Sequence, residues 1–291
     1  MIERILPPGV VFSEVFGDPP GHALFPEEEA IIAGAPSVER RREFTTGRRC
    51  AHRALAELGC PPGPVLKGPD KAPVWPDEVT GTITHDRGYR CAAVARVADI
   101  LSIGIDANAG SRPVTVGWDR MTGPAERRRL AELAAERPDV PWDRILFSAK
   151  EAAFKAWYPL ARTKVGMRQA EVLIDPDRGT FRANVLLAPG PEVNGRPLTG
   201  VSGQWMVAED GLVLTAASVI NSDRYRPGAR AQGVSAAVVA GRGWSPARAT
   251  SGHVRPTRAP RIPSSPTPHT RHPAVAPAAV PRTDVQRGVQ M

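Results

Sequence analysis

An α+β fold is predicted for this chain, on three observations. Apolar residues make up 42% of its 291 positions, enough for a sizeable core. Two long segments repeat apolar residues every three or four positions, as helices do. Several shorter runs are alternating or β-branched and are bounded by Gly, Pro and Asp turns, as strands are. Runs of strands with a few long helices define the α+β class.

The first helix is expected over 38–58, where Phe44, Gly47, Ala51, Ala54, Leu55 and Leu58 recur at helical spacing, and it should stop at Gly59 and the Pro61-Pro62 pair. Residues 81–97 alternate and then become apolar, which predicts two strands around a turn at 86–88. The β-branched run 100–105 reads as a buried strand. Pro141 suits a first helical turn, and WDRILFSAKEAAFKAWY continues as a strong helix until Pro159. Four further strands are expected at 170–174, 179–187, 204–208 and 212–219.

After about residue 220 the composition changes. Residues 222–291 hold ten prolines, 11 Arg, no Lys and two acids, a net charge of +9. Such a segment buries too little apolar surface to offset its ordering entropy, so disorder is expected from 222 onward. The formal charge of +8 is therefore a property of the tail, because the other 221 residues carry 27 basic and 28 acidic groups. A near-neutral folded part argues against a nucleic-acid channel. Cys50, Cys60 and Cys91 are odd in number and lack CxxC spacing, which fits neither a disulfide framework nor a zinc site and suits a reducing cytoplasm. Glu3 and the early prolines of MIERILPPGV break any signal-peptide core, and no window has the length of a membrane span. A soluble, cytoplasmic protein is expected.

Four groups of residues carry possible chemistry. Asp106 and Asn108 are two apart at the mouth of a strand, so both face one side and can offer oxygens to a hard cation. Most such pairs simply close a turn. On the second helix Arg144, Ser148, Glu151 and Lys155 share one polar stripe opposite a wide apolar arc. An ordinary i,i+4 pair between Glu151 and Lys155, worth a few tenths of a kcal/mol, would explain two of them. Ser148 and Glu151 also match a capping box, although Pro141 and Asp143 mark an earlier helix start. On the first helix, Arg40 and Arg48 fall on the stripe of Ala51 and Leu55, whereas Arg42, Arg49 and Arg53 lie opposite. Arginines among apolar residues are unfavourable unless they snorkel outward or meet an anion. Lys67-Gly68 and Thr84-His85 stand beside turn residues, where exposed donors can contact phosphate.

The order of the fragments REFTTGRRCAHRAL, LKGPDKAPVWP, GTITHDRGYRCAAV, ILSIGIDAN and FSAKEAAFKAW resembles the 4′-phosphopantetheinyl transferases of the larger, monomeric type over roughly residues 8–220. That resemblance implies a pseudo-dimer of two similar α/β halves, 1–107 and 108–221, followed by the tail 222–291. It implies coenzyme A in the cleft between the halves, with Arg40 and Arg48 at the 3′-phosphate and adenine end, and Lys67, Lys71, Thr84 and His85 on coenzyme phosphates. Asp106, Asn108 and Glu151 match the Mg²⁺ positions, and Lys155 matches a pyrophosphate contact. The implied reaction moves 4′-phosphopantetheine to a serine of an acyl or peptidyl carrier protein of siderophore, polyketide or lipid synthases and releases 3′,5′-ADP. Glu151 is the implied base.

Asn108 departs from the family's Asp-x-Glu pattern, losing a charge at a ligand position. A non-catalytic homologue that binds coenzyme A or a carrier protein therefore stays open, and a Mg²⁺-dependent phosphatase or nuclease is a further alternative, since two acids and a lysine on phosphate serve that chemistry too.

Overall fold

In chain order the elements are β1 (Val11–Phe16), α1 (Pro26–Ile32), α2 (Val38–Glu57), β2 (Leu66–Lys67), β3 (Pro73–Val74), β4 (Val79–Asp86), β5 (Tyr89–Arg96), β6 (Ile100–Ala109), α3 (Trp118–Met121), α4 (Pro124–Glu136), α5 (Trp142–Ala161), β7 (Ala170–Asp175), β8 (Thr180–Val185), β9 (Glu192–Val193), β10 (Arg196–Pro197), β11 (Gly200–Val207), β12 (Leu212–Ile220) and β13 (Gln232–Ser235). They come from a computed structural model that describes residues 1–110, 117–186 and 190–222, together with the strand 232–235.

Two sheets each carry one 20-residue helix. The first has the order β13-β1-β5-β4 and the second β6-β12-β11-β8-β7, antiparallel throughout except for the parallel pair β1 and β13. From α2, Cys50, Ala51, Ala54 and Leu55 pack on Val11, Ala92 and Val94 of the first sheet. From α5, Ile145, Ala149, Ala152 and Ala156 pack on Val172, Phe181, Val213 and Ala217 of the second. The periodic apolar stripes that predict these helices are the faces they bury, and the α+β architecture of two similar halves follows.

The two short helices preceding α2 and α5 repeat one device. In α1 and in α4 a proline takes the first turn, and a glutamate two residues later reaches back to cap the helix: Glu28 accepts from the Phe25 amide at 3.1 Å and Glu126 from the Gly123 amide at 3.0 Å. Each of these buried carboxylates also accepts the amide that follows its long helix, Val65 at 2.9 Å and Val172 at 2.8 Å. Each is met by a cation of that helix, Arg48 at 3.7 Å and Lys150 at 2.7 Å respectively.

The halves meet along β6. One edge of this strand pairs with β12. Its other edge would leave the amides of Ile105, Ala107 and Ala109 unsatisfied, and they donate instead to side chains at every second residue of β4: Thr82 at 3.2 Å, Thr84 at 3.1 Å and Asp86 at 2.5 Å. The β4 to β5 connection places Arg87 and Gly88 at φ 35° and 91°, the sign pattern of a tight hairpin turn.

Gly104 decides how closely α5 approaches. A Cβ there would lie 2.1 Å from the Ala152 carbonyl oxygen and 2.6 Å from the Ala156 amide nitrogen, so the helix crosses β6 backbone to backbone.

Several boundaries differ from expectation. The second helix runs through Pro159 to Ala161, because a proline in the last turn removes only one terminal hydrogen bond, and Arg162 at φ 52° ends it. The strand expected over 100–105 extends to Ala109, held by the β4 side chains, so the division expected near residue 107 falls inside β6. β1, α1 and α4 were not foreseen; their apolar runs are short. Within the tail expected to be disordered from 222, Gln232–Ser235 form β13 against the open edge of β1, whose free amides and carbonyls accept an extended segment. The expectation for 223–231 and 236–291 lies outside the described residues, as does Leu187 at the end of the predicted strand 179–187.

Candidate active site

A cleft of about 600 Å³ opens between α2, the β2–β3 hairpin, β4 and the C-terminal half of α5. It brings together Arg40, Arg48, Lys67, Lys71, His85, Glu151 and Lys155 from the sequence-derived candidates. Arg162 adds a sixth Lys or Arg, against the acids Glu43, Asp70 and Glu151, so the walls carry an excess of positive charge in a protein whose folded part is nearly neutral. Phe44, Trp75, Phe154 and Tyr158 supply apolar surface.

On α2, Arg48 is 6% exposed, its guanidinium lies 4.4 Å over the Phe44 ring, and its Nε has no hydrogen-bond partner among the described residues. Burial lowers its pKa to about 10 while Glu28 opposes the shift, so it is a cation at neutral pH. A buried, under-bonded guanidinium favours an anion. Arg40 lies one helical stretch earlier and is half exposed, paired with Glu43 at 3.3 Å. It also donates to His85 Nε2 at 3.0 Å, which makes that nitrogen an acceptor and leaves the ring proton on Nδ1, toward Glu43 at 3.7 Å. Burial and the nearby Arg40, Arg90 and Lys155 hold His85 below its ordinary pKa against the pull of Glu43, so the ring is neutral at pH 7. Glu43, which organises Arg40, His85 and Arg90, was missed by sequence reasoning although it stands three residues from Arg40.

Thr84 is not an exposed donor. It is 2% exposed, accepts from the Ala107 amide and stands 3.4 Å from Asp106 Oδ1. The even residues of β4 that point at β6 are consumed by the joint between the halves. Lys67 and Lys71 are exposed on the cleft rim.

Asp106 lies behind the cleft, 6% exposed. Its Oδ1 pairs with Lys155 at 2.7 Å, and its Oδ2 accepts from Ser148 at 2.9 Å and from the Asn108 amide at 2.5 Å. Lys155 donates also to the Ile105 carbonyl at 2.9 Å. Ser148 is buried in mid-helix and bridges Asp106 and Thr215, so it caps nothing. The helix pair expected between Glu151 and Lys155 does not form: Lys155 reaches across to Asp106, and Glu151 has no hydrogen bond or ion pair among the described residues. Burial raises the Glu151 pKa; Lys155 lowers it and Asp106 raises it further. The adjacent Lys150 faces the other way, 2% exposed, fixed by Glu126 and the carbonyls of Met167 and Ala170.

The excess of Lys and Arg on the cleft walls suits a protein that handles a phosphorylated small molecule. The family profile of the 4′-phosphopantetheinyl transferase N-terminal domain matches residues 27–95, and that of the 4′-phosphopantetheinyl transferase superfamily matches 102–199. The 4′-phosphopantetheinyl transferase Svp of Streptomyces mobaraensis is 52% identical over 223 residues, 75% of this chain and 89% of that protein. The 4′-phosphopantetheinyl transferase PptT of Mycobacterium tuberculosis is 41% identical over 225 residues, 74% of this chain and 96% of that protein. Enterobactin synthase component D of Escherichia coli (strain K12) is 37% identical over 123 residues, 40% of this chain and 55% of that protein. The chain belongs to the 4′-phosphopantetheinyl transferase family, enzymes that move the phosphopantetheine group of coenzyme A onto carrier proteins.

Proposed function

We propose that the cleft binds coenzyme A and that Asp106 and Glu151 hold a Mg²⁺ ion at its inner end during transfer to a carrier serine. The observation that carries this is the partner choice of Lys155. Because Lys155 pairs with Asp106, the half-buried Glu151 has no hydrogen bond or ion pair among the described residues, and a carboxylate that burial disfavours is suited to a cation. Asp106 and Glu151, from different elements, would offer carboxylate oxygens to such a hard cation, with water and phosphate as its other ligands. Asn108 spends its amide hydrogens on Asp106, which supports a role in orienting that carboxylate beside or instead of a place on the metal.

When bound, the ion supplies positive charge against the charge developing on the pyrophosphate. Arg48, with Arg40 beside it, anchors the 3′-phosphate end of coenzyme A, and Lys67, Lys71 and His85 meet its phosphates along the wall. Lys155, held at the Asp106 carboxylate, faces the phosphate under attack and offsets its charge. Glu151, directly or through a water, accepts the serine proton. The carrier oxygen then bonds to phosphorus and 3′,5′-ADP departs. Both halves of the site come from one chain, which supports action as a monomer, and the family chemistry suits the cytoplasm.

The test is incubation with coenzyme A, Mg²⁺ and an apo carrier protein, read by mass. The carrier gains the phosphopantetheine mass with the unaltered protein and not with Glu151→Gln, which keeps its thermal midpoint. Full activity of Glu151→Gln would remove Glu151 from the site, and hydrolysis of coenzyme A without carrier modification would favour a phosphatase. Asn108→Glu lowers the Mg²⁺ concentration for half-maximal transfer if residue 108 stands at the ion; an unchanged requirement leaves it an orienting residue only.

A further inference from the structure

The β2–β3 hairpin forms one wall of the cleft yet has almost no core of its own. It pairs only Leu66 with Val74 and Lys67 with Pro73, and both Leu66 and Val74 are exposed. A two-stranded ribbon of this kind does not hold its shape alone. Its tip is also strained: Asp70 has φ 55° and ψ 24°, and Lys71 follows at φ 67°. Consecutive non-glycine residues in the left-handed region crowd Cβ against the next carbonyl and persist only where neighbours hold them.

Besides the turn's own backbone bonds, Gly68 to Ala72 at 2.8 Å and Ala72 to Pro69 at 3.1 Å, two side chains at the end of α5, in the other half of the fold, hold it. Tyr158 donates its hydroxyl to Asp70 Oδ2 at 2.8 Å, and Lys164, just past the helix, pairs with Asp70 Oδ1. Lys164 and then Tyr158 keep the Asp70 carboxyl below its ordinary pKa, so it is ionised at neutral pH. The pairing also cancels a negative charge that would otherwise repel phosphate from this wall.

We propose that Asp70 is a positioning residue for coenzyme binding: its carboxylate latches the hairpin to Tyr158 and Lys164 and thereby sets where Lys67 and Lys71 stand. The latch rests on coenzyme A occupying this cleft. With the latch closed, the two lysines are ordered before ligand arrives; with it open, binding must order them. The effect falls on affinity, because neither Asp70 nor Tyr158 contacts Asp106, Glu151 or Lys155 through any hydrogen bond or ion pair among the described residues.

The experiment uses the full chain and compares Asp70→Ala, Tyr158→Phe and the double variant by calorimetric titration with coenzyme A, steady-state transfer, and hydrogen exchange of residues 66–74. Each single variant weakens coenzyme A binding about five- to tenfold, the cost of reordering a few side chains. KM for coenzyme A rises with it, kcat stays near that of the unaltered protein, and exchange rises in the hairpin alone. Asp70→Ala removes the Lys164 pair as well as the one contact that Tyr158→Phe breaks, so the double variant binds no more weakly than Asp70→Ala alone. Affinities equal to the unaltered protein's, losses that multiply in the double variant, or a fall in kcat at constant KM would each overturn the latch. Absence of coenzyme A binding by the unaltered protein would instead overturn the cleft assignment itself, independently of how the variants rank.

Discussion

Glu28 is 0% exposed and serves four partners, the amides of Phe25 and Val65, His52 at 2.9 Å and Arg48 at 3.7 Å. Burial pushes its pKa up, but the hydrogen bonds from His52, Val65 and Phe25 together hold it below the ordinary 4.5. A carboxylate depressed in the folded state contributes stability above its unfolded value and loses it as pH falls through the folded value. His22, 3.3 Å from His52, is lowered from 6.5 by burial and by His52, so below that pH the unfolded chain takes up its proton first, and folding weakens in the same direction. The thermal midpoint should therefore decline from about pH 6.5 downward, with a further decline below about 4.5. Glu28→Gln should lose about 3 kcal/mol at pH 7, since it strands a buried arginine, and should flatten only the lower part of the profile. Thermal melts from pH 4 to 8 check this, and an unchanged acid limb would remove Glu28 as its source. A second consequence is functional, because the same carboxylate sets the position of the Arg48 guanidinium in the cleft.

The contact of α5 with β6 decides whether Asp106, Ser148 and Lys155 meet. It depends on one missing methyl group. Gly104→Ala would place a Cβ against the Ala152 carbonyl oxygen and the Ala156 amide, both backbone atoms of a 20-residue helix, so the helix must move as a unit. Overpacking of this kind costs about 1–3 kcal/mol, and a backbone clash belongs at the upper end. Because the helix carries Ser148 and Lys155, the displacement breaks their hydrogen bonds to Asp106, and transfer should fall by at least about tenfold while the chain remains folded at 25 °C. Melting and the carrier-mass assay check the two parts separately. A destabilised variant with full activity would show that the close crossing serves packing alone.

For the whole molecule, truncation after Ser222 removes β13 and all that follows while keeping both helix-on-sheet halves. A four-residue edge strand adds little to a core already closed by α2, so the truncated protein should stay folded and active, within about twofold of the full chain. The uncovered β1 edge, however, presents unpaired amides and carbonyls. The truncated form should therefore self-associate at concentrations where a version ending after Gly241 stays dispersed. Light scattering of the two truncations with parallel transfer assays checks this, and identical scattering would mean that β13 does not protect the edge.

Much of this was legible before any tertiary contact was known. The α+β class, α2 and α5, the β4–β5 hairpin and the placement of Arg48 among apolar residues follow from local periodicity and turn chemistry, which adjacent residues encode between themselves. The family resemblance brought Asp106, Glu151 and Lys155 together by name. Periodicity could not choose partners. On sequence spacing Lys155 belongs to Glu151, four residues away; in the fold it belongs to Asp106, 49 residues upstream, because Gly104 lets α5 descend onto β6. Thr84, which the resemblance puts on a coenzyme phosphate, satisfies a strand edge, and the latch from Asp70 to Tyr158 spans 88 residues. Local residue order sets which faces are apolar and which positions carry charge. Which charges meet is settled by the packed fold, because that depends on distances between remote backbones.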